Sequence, residues 1–190
     1  MNHLAINIES EANEYERIFS NLKTVMELQL EKDIRILTIG MPDIPEQSLI
    51  EFFKFYIKKD YLNKGRIKFS IIGKWYDLPG NLLDVVKELM DETRDYDSFF
   101  LNFAINYDGQ QEIVDACRIL CRQVDAGKAD LDKIDKSSIK NNLYASYFVP
   151  PDLIIATGRE RKLKGFLLWD SVNSRIDFTG KDFVDFSLEL

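Results

Sequence analysis

The chain has 190 residues, enough for a full core, and is 45% hydrophobic and 12% aromatic, which excludes a disordered chain. Its 32 acidic residues outweigh 25 basic ones for a net charge of -7, so no nucleic-acid partner is expected. Nothing reads as a signal peptide or a membrane-spanning run, so a cytoplasmic protein is expected, with peripheral membrane contact left open.

Leu4 to Ile8 reads as a short strand. Asn13 to Glu31 reads as a helix, because Ile18, Phe19, Leu22, Val25, Met26 and Leu30 fall on one face. Ile34 to Ile39 is a strand, Gly40 to Pro45 a loop, and Glu46 to Leu62 one aromatic-rich helix. Ile67 to Ile72 is a strand and Gly73 to Asp77 a loop. Pro79 then opens a helix running to about Arg94. Phe99 to Ile105 is a strand, followed by a helix from about Gln110 to Val124 and a polar connection to Asp135. A short helix is expected near Ile139 to Tyr147, then a strand at Leu153 to Thr157, a helix at Leu163 to Val172 and a last strand at Ile176 to Phe178. This alternation predicts a single α/β domain over residues 1–190. Its central sheet is mostly parallel, of about six strands, with helices on both faces. Ligands on such sheets bind beyond the carboxyl ends of the strands.

Each candidate site has a plain structural alternative. His3, ahead of the first strand, reads as a solvated terminal residue. Cys117 and Cys121, four apart on one helix, read as reduced thiols on a partly buried face. Glu9 and Glu11 follow the first strand, where carboxylates hold Mg²⁺; an acidic first helical turn explains them equally well. Phe52, Phe53, Tyr56 and Tyr61 have near-helical spacing and read as core more readily than as a ligand tunnel. Between Pro150 and Thr179 a strand (Leu153, Ile154, Ile155), a basic turn (Arg159, Arg161, Lys162, Lys164) and the start of an aromatic-rich helix (Phe166, Leu167, Leu168, Trp169) stand back to back. That order suggests an anion site at a helix N-terminus. A solvated charge cluster is the alternative.

Two stretches resemble the cis-prenyltransferase family, to which undecaprenyl diphosphate synthase belongs. From Leu101 to Leu120, the residues Asn106, Tyr107, Gly109, Glu112 and Ile113 match its Asn-Tyr-Gly-Gly-Arg turn and the helix start beyond. From Pro151 to Thr179 the match includes Pro151, Asp152, Leu153, Ile155, Thr157, Glu160, Leu163, Phe166, Leu167, Leu168, Trp169, Phe178 and Thr179. Weaker likeness covers His3 to Ile6, Thr38, Ile71, Gly73, Leu78 and Pro79. The resemblance implies the family's α/β fold. It also implies condensation of isopentenyl diphosphate with an allylic diphosphate, assisted by Mg²⁺, and a dimer.

The resemblance also shows departures. The family's metal-binding Asp falls on Glu9, and much of the diphosphate loop after it is missing. The loop after the second strand is Gly40 to Pro45 in place of Ser-Thr-Glu-Asn-Trp. Arginines of the family fall on Gln110, Ala156 and Lys162, and a metal-reaching Glu falls on Arg175, which would repel Mg²⁺. The sequence ends at Leu190, short of the family's Arg-x-Gly tail. Arg159, Arg161, Lys162 and Lys164 remain as a diphosphate cradle, and Phe166, Leu167, Trp169, Ile176 and Phe178 resemble the family's dimer surface.

Three readings follow. The first is a degenerate, non-catalytic or regulatory subunit, forming a homodimer or a heterodimer with an active homologue. The second is an active isoprenoid-diphosphate enzyme with Glu9 at the metal, acting by short-chain prenyl transfer, cyclisation or diphosphate release. The third is a module that binds an isoprenyl diphosphate or phosphate without turnover.

Overall fold

Strands and helices this short are marginal alone in water, so the architecture is decided by where their apolar faces meet. The computed structural model describes residues 1–10, 14–57 and 59–188. Glu11, Asn13 and the side chain of Tyr56 lie outside what is described. Six strands, β1 (His3–Asn7), β2 (Ile36–Gly40), β3 (Ile67–Ile72), β4 (Phe99–Ala104), β5 (Leu153–Ala156) and β6 (Arg175–Phe178), form one sheet in the order β3-β4-β2-β1-β5-β6. Every pairing is parallel, as the alternation of elements predicts. The register brings Asn7, Gly40, Ala104 and Ala156 into one row at the carboxyl ends.

The first face of the sheet, with Leu4, Ile6, Leu37, Ile39, Phe69, Leu101 and Phe103, carries the main core. Against it pack α1 (Tyr15–Glu31), α2 (Glu46–Glu51), α3 (Lys59–Gly65) and α4 (Gly80–Glu92). The buried stripe of α1 is Ile18, Phe19, Leu22, Val25 and Met26, the face that the sequence pattern marks. Each such side chain contributes about 1.5–3 kcal/mol by leaving water. The second face holds a smaller cluster of Ala5, Ile72, Ala104, Ala145, Ile154, Phe166 and Leu167. On this side α5 (Gly109–Asp125) reaches the cluster through Glu112, which accepts the Ala145 N–H, and α6 (Lys136–Lys140) packs on α5.

Several expectations are corrected. The single helix over Glu46 to Leu62 is broken: after α2, residues Phe52–Tyr56 form a wide π turn, in which Ile57 N–H donates to Phe52 C=O at 3.2 Å. Phe52, Phe53 and Ile57 are all buried, and the wider turn brings the three closer to one face than a regular 3.6-residue turn would. The helix expected at Ile139 to Tyr147 starts earlier, at Lys136, because Asp135 and Ser138 form a reciprocal capping box there. Beyond Asn141 the chain turns, which lets Leu143 and Ala145 into the interior.

His3 is not solvated. It is 3% exposed, with Nδ1 2.6 Å from Val149 C=O and Nε2 2.9 Å from Thr38 Oγ1. A carbonyl can only accept, so Nδ1 carries the proton and Nε2 accepts from the Thr38 hydroxyl. Thr38 Oγ1 in turn accepts from Asn102 Nδ2 at 3.1 Å. Cys117 and Cys121 are free thiols, but both are exposed and not on a partly buried face; the buried face of α5 is Glu112, Ala116 and Leu120.

Candidate active site

The loops that leave the carboxyl ends of β1, β2, β3 and β4 enclose a cleft with two lobes. One, about 450 Å³, is lined by Asn7, Glu9, Ser10, Asp43, Lys164 and Phe166. The other, about 750 Å³, is lined by Met41, Ile44, Leu49, Leu78, Leu82 and Ile105, with Lys74, Asp108, Gln111 and Tyr144 at its polar side. Met41, Pro42, Asp43 and Tyr107 line both. The polar lobe therefore adjoins a larger one of mixed lining, whose apolar side is Met41, Ile44, Leu49, Leu78, Leu82 and Ile105.

Glu9 is fixed from several sides. Its N–H donates to Thr157 Oγ1 at 2.9 Å, and its C=O accepts from Phe183 N–H at 3.2 Å. Its carboxylate lies against Gly158, where an added Cβ would stand 2.6 Å from an oxygen. Gly158 also has φ of +101°, so only glycine sits there without strain. The other carboxylate oxygen accepts from Lys164 Nζ at 2.6 Å. That bond, ahead of the Coulomb attraction of Glu9 and Glu160, raises the Lys164 pKa and keeps the ammonium charged. Next along the loop, Ser10 Oγ donates to Asp182 Oδ1 at 2.7 Å. Gly40 closes the back of the polar lobe because the Phe166 ring lies where its Cβ would project, 2.8 Å away.

Two tyrosine–carboxylate pairs, one on the buried Glu112 and one on the half-buried Asp115, support the middle of the cleft. Tyr107 O–H donates to Glu112 Oε2 at 2.5 Å, and burial pushes the pKa of both groups up. Tyr144 O–H donates to Asp115, which also accepts from Arg118 at 2.8 Å and Gln111 at 3.0 Å, with Lys74 Nζ 3.8 Å away. Chiefly through the Tyr144 bond, Asp115 is held below the usual carboxylate range. Lys74 is thereby tethered at the rim of the apolar lobe.

The basic turn is divided. Lys164 lines the polar lobe, whereas Arg159, Arg161 and Lys162 are exposed. Glu160 sits among them, 3.3 Å from Lys162 and 3.9 Å from Lys164. The helix expected at Leu163 to Val172 does not form. Lys164, Gly165 and Leu167 have φ of 50°, 77° and 45°, which breaks any helix, and only a 3₁₀ turn at Asp170–Asn173 follows. No helix N-terminus therefore faces an anion here. The twisted turn instead drives both Phe166 and Leu167 inward, to 3% and 2% exposure, with Phe166 edge-on to Tyr107. Buried in their own chain, these two cannot form a dimer surface. Trp169 and Ile176 are half-buried and Phe178 is partly exposed.

Arg175 is also displaced from the expected role. It pairs with Leu153 at the amino end of the sheet, three residues or about 10 Å from the row holding Asn7, and both its Nε and Nη2 donate to Asp177, at 3.1 and 2.6 Å. Asp43 and Lys74, which sequence reasoning did not single out, stand in the loops after β2 and β3. The strand-end rule was the signal that pointed there. Tyr144 carried no such signal, since it belongs to an irregular segment far along the chain.

A family model described as putative undecaprenyl diphosphate synthase matches residues 6–189. The chain belongs to the undecaprenyl diphosphate synthase family. It is 31% identical over 180 residues to a tritrans,polycis-undecaprenyl-diphosphate synthase (geranylgeranyl-diphosphate specific) of Thermoplasma volcanium, covering 88% of this chain and 70% of that one. It is 28% identical to a ditrans,polycis-undecaprenyl-diphosphate synthase ((2E,6E)-farnesyl-diphosphate specific) of Buchnera aphidicola, covering 89% and 72%. Against the geranylgeranyl-specific synthase of Methanocaldococcus jannaschii, 33% identical, the match spans 70% of this chain and 51% of the relative. Among solved structures, lavandulyl diphosphate synthase of Lavandula x intermedia, in complex with dimethylallyl diphosphate, superposes with a TM-score of 0.90 at 24% identity, covering 98% of this chain and 90% of that one. A probable undecaprenyl diphosphate synthase of Campylobacter jejuni gives 0.75 at 19%, covering 98% and 89%. The sheet and its flanking helices are thus the family fold. Among the described residues no helix is long and apolar enough to cross a membrane.

Proposed function

We propose that this family member is an active enzyme on short prenyl diphosphates. The diphosphate lies in the polar lobe and the hydrocarbon in the apolar lobe. The observation that carries this reading is the adjacency of the two lobes, which share Met41, Pro42, Asp43 and Tyr107, with the Glu9–Lys164 pair in one and Leu78, Leu82 and Ile105 in the other. The chain length is short because the apolar lobe ends on packed core. Its Leu49, Leu82 and Ile105 belong to the same cluster as Phe19, Phe52, Phe53, Phe69 and Phe103. Those rings meet at centroid distances from 4.7 to 5.8 Å, a packed aromatic floor beneath the lobe.

In this reading Lys164 offsets charge on the diphosphate as the allylic C–O bond breaks and its electron pair leaves with the phosphate oxygen. The apolar lobe keeps water from the cation that results. The double bond of isopentenyl diphosphate supplies the electrons of the new C–C bond. Asp43, which lines both lobes, takes the proton that the adduct loses. Arg159, Arg161 and Lys162 form an outer cationic rim that draws in the anionic substrate.

The donor set fits Mg²⁺. Among the described residues no three His, Cys or acidic side chains cluster, but Mg²⁺ is commonly held by one or two carboxylates with substrate phosphates, and Glu9 and Asp43 line the same lobe. Bound there, the ion would neutralise the departing diphosphate.

Purified protein is incubated with labelled isopentenyl diphosphate, Mg²⁺ and dimethylallyl, geranyl or farnesyl diphosphate. Release of diphosphate with a short prenyl product is expected, and is lost in Lys164→Met. Absence of product and of diphosphate release with every substrate would overturn this reading. It would favour the non-catalytic, dimerising subunit, which the exposed apolar set Leu168, Val172 and Phe178 supports.

A further inference from the structure

A second cavity lies on the other face of the sheet from the main core. It encloses about 640 Å³ between the strands and residues 144–149. Strand alternation brings Ile36 of β2, Ile72 of β3 and Phe100 of β4 to this face, and Phe148 and Val149 cover them. The Phe148 ring stands edge-on to Phe100 at 5.8 Å, so the covering segment is packed onto the sheet and the space beside it is formed by side chains. Tyr144 lines both this cavity and the larger lobe of the cleft.

Charge distinguishes this cavity from an ordinary packing gap. Arg35 and Lys68 both line it, and neither has a carboxylate partner among the described residues. The chain carries a net charge of -7, yet the titratable side chains lining this cavity, besides its two tyrosines, are both cations. Lys68 is half-buried and belongs to the same face of β3 as Ile72. An ammonium beside apolar side chains loses hydration that an anion would restore. Apolar walls with a few convergent polar groups are the usual make-up of a small-molecule site.

We propose that this cavity is a second ligand site, for an aliphatic chain with one anionic head group, a carboxylate or a monophosphate. The chain lies against Ile36, Ile72, Phe100 and Phe148, and the head group meets Lys68 and Arg35. The proposal stands on this cavity alone and is independent of what the cleft does.

The test is methyl NMR of the full chain titrated separately with decanoate, geranyl monophosphate and decanol. Saturating shifts are expected at Ile36, Ile72 and Val149. The double variant Arg35→Glu, Lys68→Glu should weaken binding of the anions about tenfold and leave decanol within about twofold. The milder pair Arg35→Gln, Lys68→Gln should weaken the anions less and in the same order, which guards against a folding defect. Binding of both anions supports the shared chemistry; binding of one identifies its head group. Shifts confined to Met41, Leu78 and Leu82 of the cleft, no saturation, or anion affinities that ignore both charge variants would overturn the proposal.

Discussion

Lowering the pH from 7.5 to 4.5 is expected to cost the folded state stability through His3. Burial, the largest cause, lowers its pKa from the ordinary 6.5 to about 4, against the opposing effects of the Val149 carbonyl and Asp152. The neutral ring is what the native hydrogen bonds require, with Nδ1–H donating to Val149 and Nε2 accepting from Thr38. The unfolded chain therefore binds a proton below pH 6.5 that the native state refuses until about pH 4. The contribution is fully present above 6.5, falls by about 1.4 kcal/mol per pH unit, and is lost by about pH 4. Over the whole window it is on the order of 3 kcal/mol, most of which is gone at pH 4.5. Urea unfolding of the wild type and His3→Gln at both pH values isolates it, because the carboxylates common to both chains cancel. The wild type should lose about 2–3 kcal/mol more than the variant. Equal losses would refute the buried neutral histidine.

Other perturbations address the cleft. Gly158→Ala forces a Cβ into φ of +101° and toward the Glu9 carboxylate, and should cost about 1–3 kcal/mol in chemical denaturation; a neutral result would mean Gly158 does not back Glu9. Phe53→Ala removes a ring that is 1% exposed and packed on Phe52, Phe69 and Phe103, and should cost about 3–5 kcal/mol in urea while admitting a longer prenyl diphosphate by calorimetry. A cost below about 1 kcal/mol would show that the aromatic floor is loosely packed. Lys164→Met frees Glu9, so Mn²⁺ affinity measured by electron paramagnetic resonance should rise about tenfold, a fraction of the ~4 kcal/mol felt by charges 4 Å apart at a surface-like dielectric. Unchanged Mn²⁺ affinity would show that the ammonium and a divalent ion do not compete.

The strands and α1 were legible because their signals are local. Period-two and near-3.6 patterns of Ile, Leu and Phe mark which face is buried, and the observed strand ends differ from the expected ones by two residues at most. The π turn was not legible. Phe52 and Phe53 are equally compatible with a regular helix, and only their packing on Phe19, Phe69 and Phe103 selects the wider turn. The run Phe166 to Trp169 likewise reads as a helix from its composition. No pattern signals that Leu167 will take φ of 45°, a conformation that tertiary burial imposes on a branched residue. The Glu9–Lys164 pair joins residues 155 positions apart, so sequence could nominate each and could not show that they neutralise one another.

Under the proposed function, that pair explains how a cleft with so few cations can serve a strongly charged ligand. Lys164 and Glu9 are partly exposed, at 47% and 23% of their side chains, and an exposed ion pair is worth about 0–1 kcal/mol. Separating them costs little. An incoming diphosphate can take the ammonium while a divalent ion takes the carboxylate, and each new pairing carries more charge than the one it replaces. Removing either partner alone would leave the other facing the ligand with the wrong balance: Glu9 repelling phosphate, or Lys164 repelling metal. The closed pair holds both charges in register in the absence of ligand. The backbone turn through Lys164, with Phe166 and Leu167 anchored beneath it, keeps the ammonium within reach of the lobe when the pair opens.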